Sequence, residues 1–255
     1  INAEGGQVLL TGAAAQDVFS RVVNNDGIIK AGRIENQGGV IRLVGAGGVV
    51  SNSGTLDATS TDGQGGDIDV LGDQVALTSA SRIDASGAAG GGTIRIGGDF
   101  QGSNPNIQNS KQTYVASGAE LVADAVTEGD GGKVVVWSDG TTEFHGHISA
   151  QGGANAGNGG YAEISGKEHL AVTGHADLTA AHGMAGTLLL DPGTVNICDD
   201  TNVACTPSGS DTFSDAYIST QLGLGNVTID TSAASGANGA SEDITFQDPT
   251  INISW

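Results

Sequence analysis

All five histidines, His145, His147, His169, His175 and His182, fall in one short stretch of the 255 residues. Imidazole nitrogen is a ready ligand for zinc and copper. Glu143, His145 and His147 alternate with Phe144, Gly146 and Ile148, so on a single strand the three polar side chains would share a face. His175 repeats the position of His147 one unit later, which makes His145, His147 and His175 the candidate metal ligands. The competing reading is a histidine-rich solvated face, and on this pattern no metal is assigned.

Other chemistries find less. Cleavage of acidic glycans would need clustered carboxylates, or calcium with Arg or Lys. Acids abound, but the nine basic residues are scattered. Trp137 and Tyr161 are the only aromatic platforms near the middle of the chain, and both could equally be packed surface residues. Gly157-Asn158-Gly159-Gly160-Tyr161-Ala162 echoes a dinucleotide loop, yet a strand follows where that motif requires a helix. No phosphate loop, His-Glu-x-x-His or nucleophile elbow occurs. The expectation is a non-enzyme without catalytic residues or cofactor.

Cys198 and Cys205, the only cysteines, bracket a polar loop of turn residues. A disulfide stapling that loop is expected, with free thiols or a metal pair as the alternative. An oxidised pair fits an exported chain.

What positions all of these is a repeat. Seven times two glycines, or a small residue and a glycine, precede a short apolar run, at Gly5, Gly38, Gly65, Gly91, Gly131, Gly159 and Ala185. The steps between them are 33, 27, 26, 40, 28 and 26 residues, a unit of about 26 to 28 that is twice stretched by insertion. Within a unit, three β-prone runs alternate with Gly, Asp and Ser, and none has helical period. Such a unit cannot bury its apolar face alone. Stacked as coils, the units form a parallel β-solenoid, an all-β fold of three short strands per coil.

The first-strand ladder then runs Val8/Leu10, Ile41/Leu43, Ile68/Val70, Ile94/Ile96, Val134/Val136, Ala162/Ile164 and Leu188/Leu190. A third-strand ladder runs Ile29/Ala31, Leu56/Ala58, Ile83/Ala85, Leu121/Ala123, Ile148/Ala150 and Leu178/Ala180. Outward positions read Leu9, Arg42, Asp69, Arg95, Val135, Glu163 and Leu189, which sets opposite charges on successive coils in mid-chain. Asp57 and Asp84 would stack with like sign and call for screening by solvent or a cation.

Composition agrees, since 43 glycines and 4% aromatics describe tight corners around a thin aliphatic core. The net charge of −20 argues against nucleic acid as a partner, because a basic stripe is missing. The glycine motifs lack the third glycine of the calcium-binding nonapeptide, so calcium or another cation stays a secondary option. No apolar stretch approaches the ~18 to 20 residues of a membrane span, so no membrane insertion is expected.

Residues 1–190 read as the repeats, 191–224 as the cysteine loop with a short helix, and 225–255 as strands resuming. Two insertions stand out, Ala13 to Asn24 as a short helix or lateral strand and Phe100 to Lys111 as a projecting loop. Ser214 is the N-cap and Gly223 the stop of the expected helix 214–222. Both termini read as open faces of a longer solenoid or of a stack of copies, with no blocker on their edges.

The run Gly97-Gly98-Asp99-Phe100-Gln101-Gly102, with Thr113-Tyr114-Val115, Ala123-Asp124-Ala125, Gly129 to Asp139, Thr141-Thr142 and Phe144, resembles large filamentous-haemagglutinin-like exoproteins. So does its continuation through Gly146, Ile148, Gly159-Gly160, Ser165-Gly166-Lys167 and Gly186 to Pro192. The likeness extends over residues 28–255. It implies a right-handed parallel β-helix, two-partner secretion through an outer-membrane partner of a Gram-negative bacterium, and an extracellular or cell-surface adhesin or fibre. Its partners would be further repeats or copies stacked end to end and a host-cell, matrix or glycan surface. The family's amino-terminal secretion domain has no counterpart here, and Asn104-Pro105-Asn106-Ile107 only superficially echoes its motifs. The alternative is a β-helical protein that degrades or binds polysaccharide.

Overall fold

The computed structural model describes residues 1–3, 6–13, 21–31, 39–201, 211–231, 244–246 and 253. Among them the chain is mostly β-strand, and the paired strands run parallel in sheets of twelve, six and three strands. One ladder runs through Gln7–Ala13, Val40–Asn52, Asp67–Leu77, Thr93–Ile96, Lys133–Ser138, Tyr161–Gly166, Thr187–Pro192 and Asn226–Ile229. A second takes Arg21–Asn25, the later parts of Val40–Asn52 and Asp67–Leu77, then Gln112–Val115, Thr141–Phe144 and His169–Val172. The two long strands belong to both ladders and join them into the twelve-stranded sheet. The six-stranded sheet stacks Ile28–Lys30, Thr55–Asp57, Arg82–Asp84, Glu120–Val122, His147–Ser149 and His175–Asp177.

The register of the first ladder is the expected one, with Val8, Ile41, Ile68, Ile94, Val134, Ala162 and Leu188 in line and Val227 added beyond them. From Val8 to Leu188 these side chains share one core with the third ladder. Burying an aliphatic side chain is worth roughly 1.5–3 kcal/mol, against ~0.2–1 for an exposed ion pair, so the core fixes the register. In the third ladder the last step differs from expectation. Ala176, not Leu178, lies beside Ile148, and Leu178 holds the place after it. Ala180 is half-buried and outside the core cluster.

The two glycines of each motif have different reasons. A Cβ on the first would lie 1.9 Å from the Ala123 carbonyl oxygen at Gly91, and 2.1 Å from that of Ala150 at Gly131, where the third strand turns back into the first. On the second it would meet the coil before, 2.0 Å from Gly66 O at Gly92 and 2.2 Å from Gly92 O at Gly132. Close approach of backbone to backbone, not chain flexibility, demands the pair.

Two polar ladders turned inward or stacked are paired. Asn25 Nδ2 donates to Asn52 Oδ1 at 2.7 Å, and Asn52 Nδ2 to Ser81 Oγ at 2.5 Å, a buried ladder at one corner. Asp57 and Asp84 do stack, and the screening cations are the chain's own, Lys30 at 3.0 Å from Asp57 and Arg82 at 3.2 Å from Asp84. Burial opposes the charge of Asp57, but hydrogen bonds from Thr59 together with Lys30 outweigh it and hold the carboxyl below its usual range.

Two strands at the far end of the stack are met by later parts of the chain, while of the strand expected to end the chain at 251–255 only Ile253 is among the described residues. The N–H of Asp211 donates to Leu170 O at 2.6 Å, and its carboxylate accepts from the Leu170 N–H at 2.8 Å. The helix Asp215–Leu222 forms as expected, with Ser214 Oγ accepting from the Tyr217 N–H and Gly223 as its C-cap. It carries Gln221 to the six-stranded sheet, where Gln221 Oε1 accepts from the Ala176 N–H at 3.0 Å. A side chain thus occupies the ladder position of a further strand. A small sheet of Val195–Cys198, Thr212–Ser214 and Ile244–Phe246 lies beyond. Cys198 is disulfide-bonded, and Cys205, the chain's other cysteine, lies outside the described residues. Of the insertion Ala13 to Asn24, residues 14–20 also lie outside them, and Arg21–Asn25 is a strand. Among the described residues no helix is long and apolar enough to cross a membrane.

Candidate functional site

The segment after Thr93–Ile96 does not project as expected. It lies flat across the outside of the first ladder as a strap, closed at its base by Ser110 N–H donating to Gly97 O at 2.6 Å. Beneath it Trp137 is 1% exposed, and the outward residues Val135 and Glu163 are fully buried. Gly98 and Gly102 press on the indole, where an added Cβ would come within 2.6 and 2.5 Å of ring atoms. Trp137 is therefore packing and no platform for a sugar ring.

The strap is pinned on a buried carboxylate. The N–H of Gln101, held at a positive φ of 50°, donates to both Glu163 oxygens, at 3.0 and 3.2 Å. Gln101 Nε2 reaches Asp191 Oδ2 at 3.4 Å. Loss of water raises the Glu163 pKa to about 7, helped by the neighbouring Asp191 and opposed by the Gln101 hydrogen bond and by Lys133. Such a carboxyl could exchange a proton near neutrality, but it is sealed from substrate. Its role is in docking the strap.

At the strap's edge an open groove of about 490 Å³ runs across the glycine corners. Its floor is Gly91-Gly92, Gly131-Gly132 and Gly159-Gly160, and Gln64, Thr93, Asp130, Lys133 and Tyr161 rise beside it. Tyr161, the other expected platform, meets the Phe100 ring edge-on at 6.0 Å, with the Lys133 ammonium 4.7 Å over Phe100 and 5.9 Å over Tyr161. Its ring is already engaged.

Alternating outward charge holds in mid-chain and is stronger than surface pairs would be. Asp69, fully buried, accepts from Arg42 Nε and from Arg95 Nη1, each at 2.9 Å, one from either neighbouring coil. Arg95 also reaches Asp99 at the root of the strap, 3.3 Å away.

The histidines are not brought together as a metal site. Gly146 is a corner, where a Cβ would sit 2.8 Å from Ala119 O and from Val115 Cγ1, so His145 follows the end of the strand Thr141–Phe144 while His147 begins His147–Ser149 in the six-stranded sheet. His145 Nδ1 bonds Thr173 Oγ1 at 2.7 Å, and His175 Nδ1 bonds Gln221 at 2.7 Å and stacks on Tyr217. His147 does lie beside His175 in register. Among the described residues, only the carboxylates of Asp199, Asp200 and Asp215 have metal-ligand spacing.

The second ladder presents a face that sequence reading missed. Gln74, Gln112 and Thr141 stand in line on successive coils, and beside them Ala76, Tyr114 and Glu143. Gln74 Nε2 donates to Gln112 Oε1 at 3.2 Å. Two depressions meet at Gln74, Gln112 and Thr141, one of about 310 Å³ reaching Val49, Tyr114 and Glu143, the other of about 450 Å³ reaching Lys111, Asp139 and Glu168. Tyr114 is 44% exposed, with His145 edge-on to its ring at 5.9 Å. Outward alternation of these positions was visible in the sequence, but not the length of the strand that places them in line. No family model matches the chain, and no curated protein matches it.

Proposed function

We propose that the chain is a right-handed parallel β-solenoid that serves as a structural and adhesive segment of a secreted, cell-surface protein of a Gram-negative bacterium, exported by the two-partner route. The observation that carries this reading is the constancy of the inward ladder. From Val8 to Val227 one aliphatic position repeats in unbroken parallel register while its outward neighbours change from coil to coil. Such a sequence conserves length and varies surface, which is what a spacer with contact faces requires. The handedness and the export route rest on the resemblance to filamentous-haemagglutinin-like exoproteins.

Of the two forms open to such a solenoid, the contact of Asp211 and Gln221 with two end strands favours a segment over a fibre of copies stacked at that end. Negative-stain images of the purified chain are expected to show separate short rods, and beads coated with it to attach to cell or matrix surfaces above albumin-coated beads. Compact particles would count against the solenoid, and attachment no greater than albumin's against the adhesive role. Sustained release of reducing or unsaturated ends from a polysaccharide would favour the enzymatic alternative.

A further inference from the structure

We infer that the open face of the second ladder, from Gln74 through Gln112 and Tyr114 to Thr141 and Glu143, binds a straight, uncharged, β-1,4-linked glycan lying along the stacking direction. This rests on the reading of the chain as a surface-contact segment and names the ligand of one face.

Three observations carry it. The side chains are the right kind, because Gln74 and Gln112 amides and the Thr141 hydroxyl both donate and accept, as sugar hydroxyls do. Tyr114 adds an exposed ring with an apolar face, with Ala76 beside it in register and Val49 at the far end of the same depression. Spacing is the second. The amide line advances one coil at a time, ~4.8 Å per step, and a β-1,4-linked chain advances by about that distance per ring. Successive rings can therefore meet successive coils, alternate rings presenting the same edge, and the two joined depressions form a trough across these coils.

Charge is the third. Asp139, Glu143 and Glu168 line the trough against Lys111 alone, and Lys111 is already paired with Asp73 at 2.9 Å. A sulfated or uronic-acid glycan would meet carboxylates there, and the whole chain carries −20. The glycine groove is the weaker candidate for the same ligand, because Phe100 and Lys133 already occupy the surroundings of the Tyr161 ring.

The test is titration calorimetry of the whole chain with cellohexaose and chitohexaose, with a heparin hexasaccharide as the anionic arm. At least one neutral hexamer is expected to bind and the corresponding disaccharide to bind more weakly. Tyr114→Ala should weaken binding about tenfold and Gln112→Ala several-fold, while Tyr114→Phe, which keeps the ring, retains most of it. Because Tyr114 is exposed, the melting temperature of its variants should match the parent and so separate lost contact from lost fold. Binding of neither neutral hexamer, full binding by Tyr114→Ala, or a preference for heparin would each overturn the inference. Rods in negative stain and bead attachment are read independently, so a failed glycan titration leaves the broader reading to its own tests.

Discussion

The backbone N–H of Gln101 points at the carboxylate of Glu163, 3.0 and 3.2 Å from its two oxygens and 62 positions away in sequence. Burial keeps Glu163 protonated up to about pH 7 in the folded chain, against an ordinary value of 4.5. Between those values the folded state binds the extra proton, so stability falls as pH rises from about 4.5 to about 7. The upper bound is on the order of 3 kcal/mol. Glu163→Gln should abolish that part of the pH dependence and be the more stable protein at pH 8. Urea unfolding of both proteins at pH 5 and pH 8 measures it, and parallel pH profiles would refute the assignment.

Trp137 is the apolar half of the same attachment. Trp137→Ala leaves a cavity under the strap and is expected to cost about 3–5 kcal/mol. Gly102→Ala acts from the opposite side, through a positive φ of 57° and a Cβ 2.5 Å from the indole. Both variants should speed hydrogen exchange in residues 98–102 far more than in Thr55–Asp57, which lies in the six-stranded sheet.

Asp69 between Arg42 and Arg95 is the buried member of a charged clamp across three coils. Asp69→Ala leaves two guanidinium groups facing each other, and since both are partly exposed the expected loss is about 1–3 kcal/mol rather than the full buried-pair value. A double-mutant cycle with Arg95→Met isolates the coupling, and a coupling near zero would show the clamp to be idle.

Glycines that look alike in the sequence should respond differently. Gly132→Ala places a Cβ 2.2 Å from the carbonyl oxygen of Gly92 and should prevent the two coils from closing. Gly47 has open space around it and a φ of 74°, so Gly47→Asn should be tolerated. Thermal melts order the two, and equal losses would refute the distinction.

The inward half of this architecture is legible in the sequence because a narrow interior accepts only small or aliphatic side chains at alternate positions. Val8 to Leu190 follows that rule step by step. The rule fails where two registers satisfy it, as with Ala176 and Leu178, and there the hydrogen-bond ladder decides. The outward half is legible only where its partners lie on adjacent coils, as for Arg42 and Asp69. Glu163 reads as a surface charge because its cover arrives from an insertion two coils earlier. One signal was available, since Val135 and Leu189 are apolar at outward positions that soluble sheets leave polar. The histidine cluster misled for a local reason, because Gly146 turns a corner between two residues that alternation alone would place on one face.

The strap leaves the level of Thr93–Ile96, packs on Trp137 one level on, and is fastened to Glu163 and Asp191 at the next two. The ladder bonds run along the stacking direction, so an axial pull loads every face of a level at once and the force is divided among them. Across those four levels the strap acts as a second tension member in parallel with the ladders. Its longest fastening is the hydrogen bond of Gln101 Nε2 to Asp191 Oδ2 at 3.4 Å, which should yield before the sheets do. The middle of the stack thereby carries a link across four levels that can slip and re-form while the ladders hold.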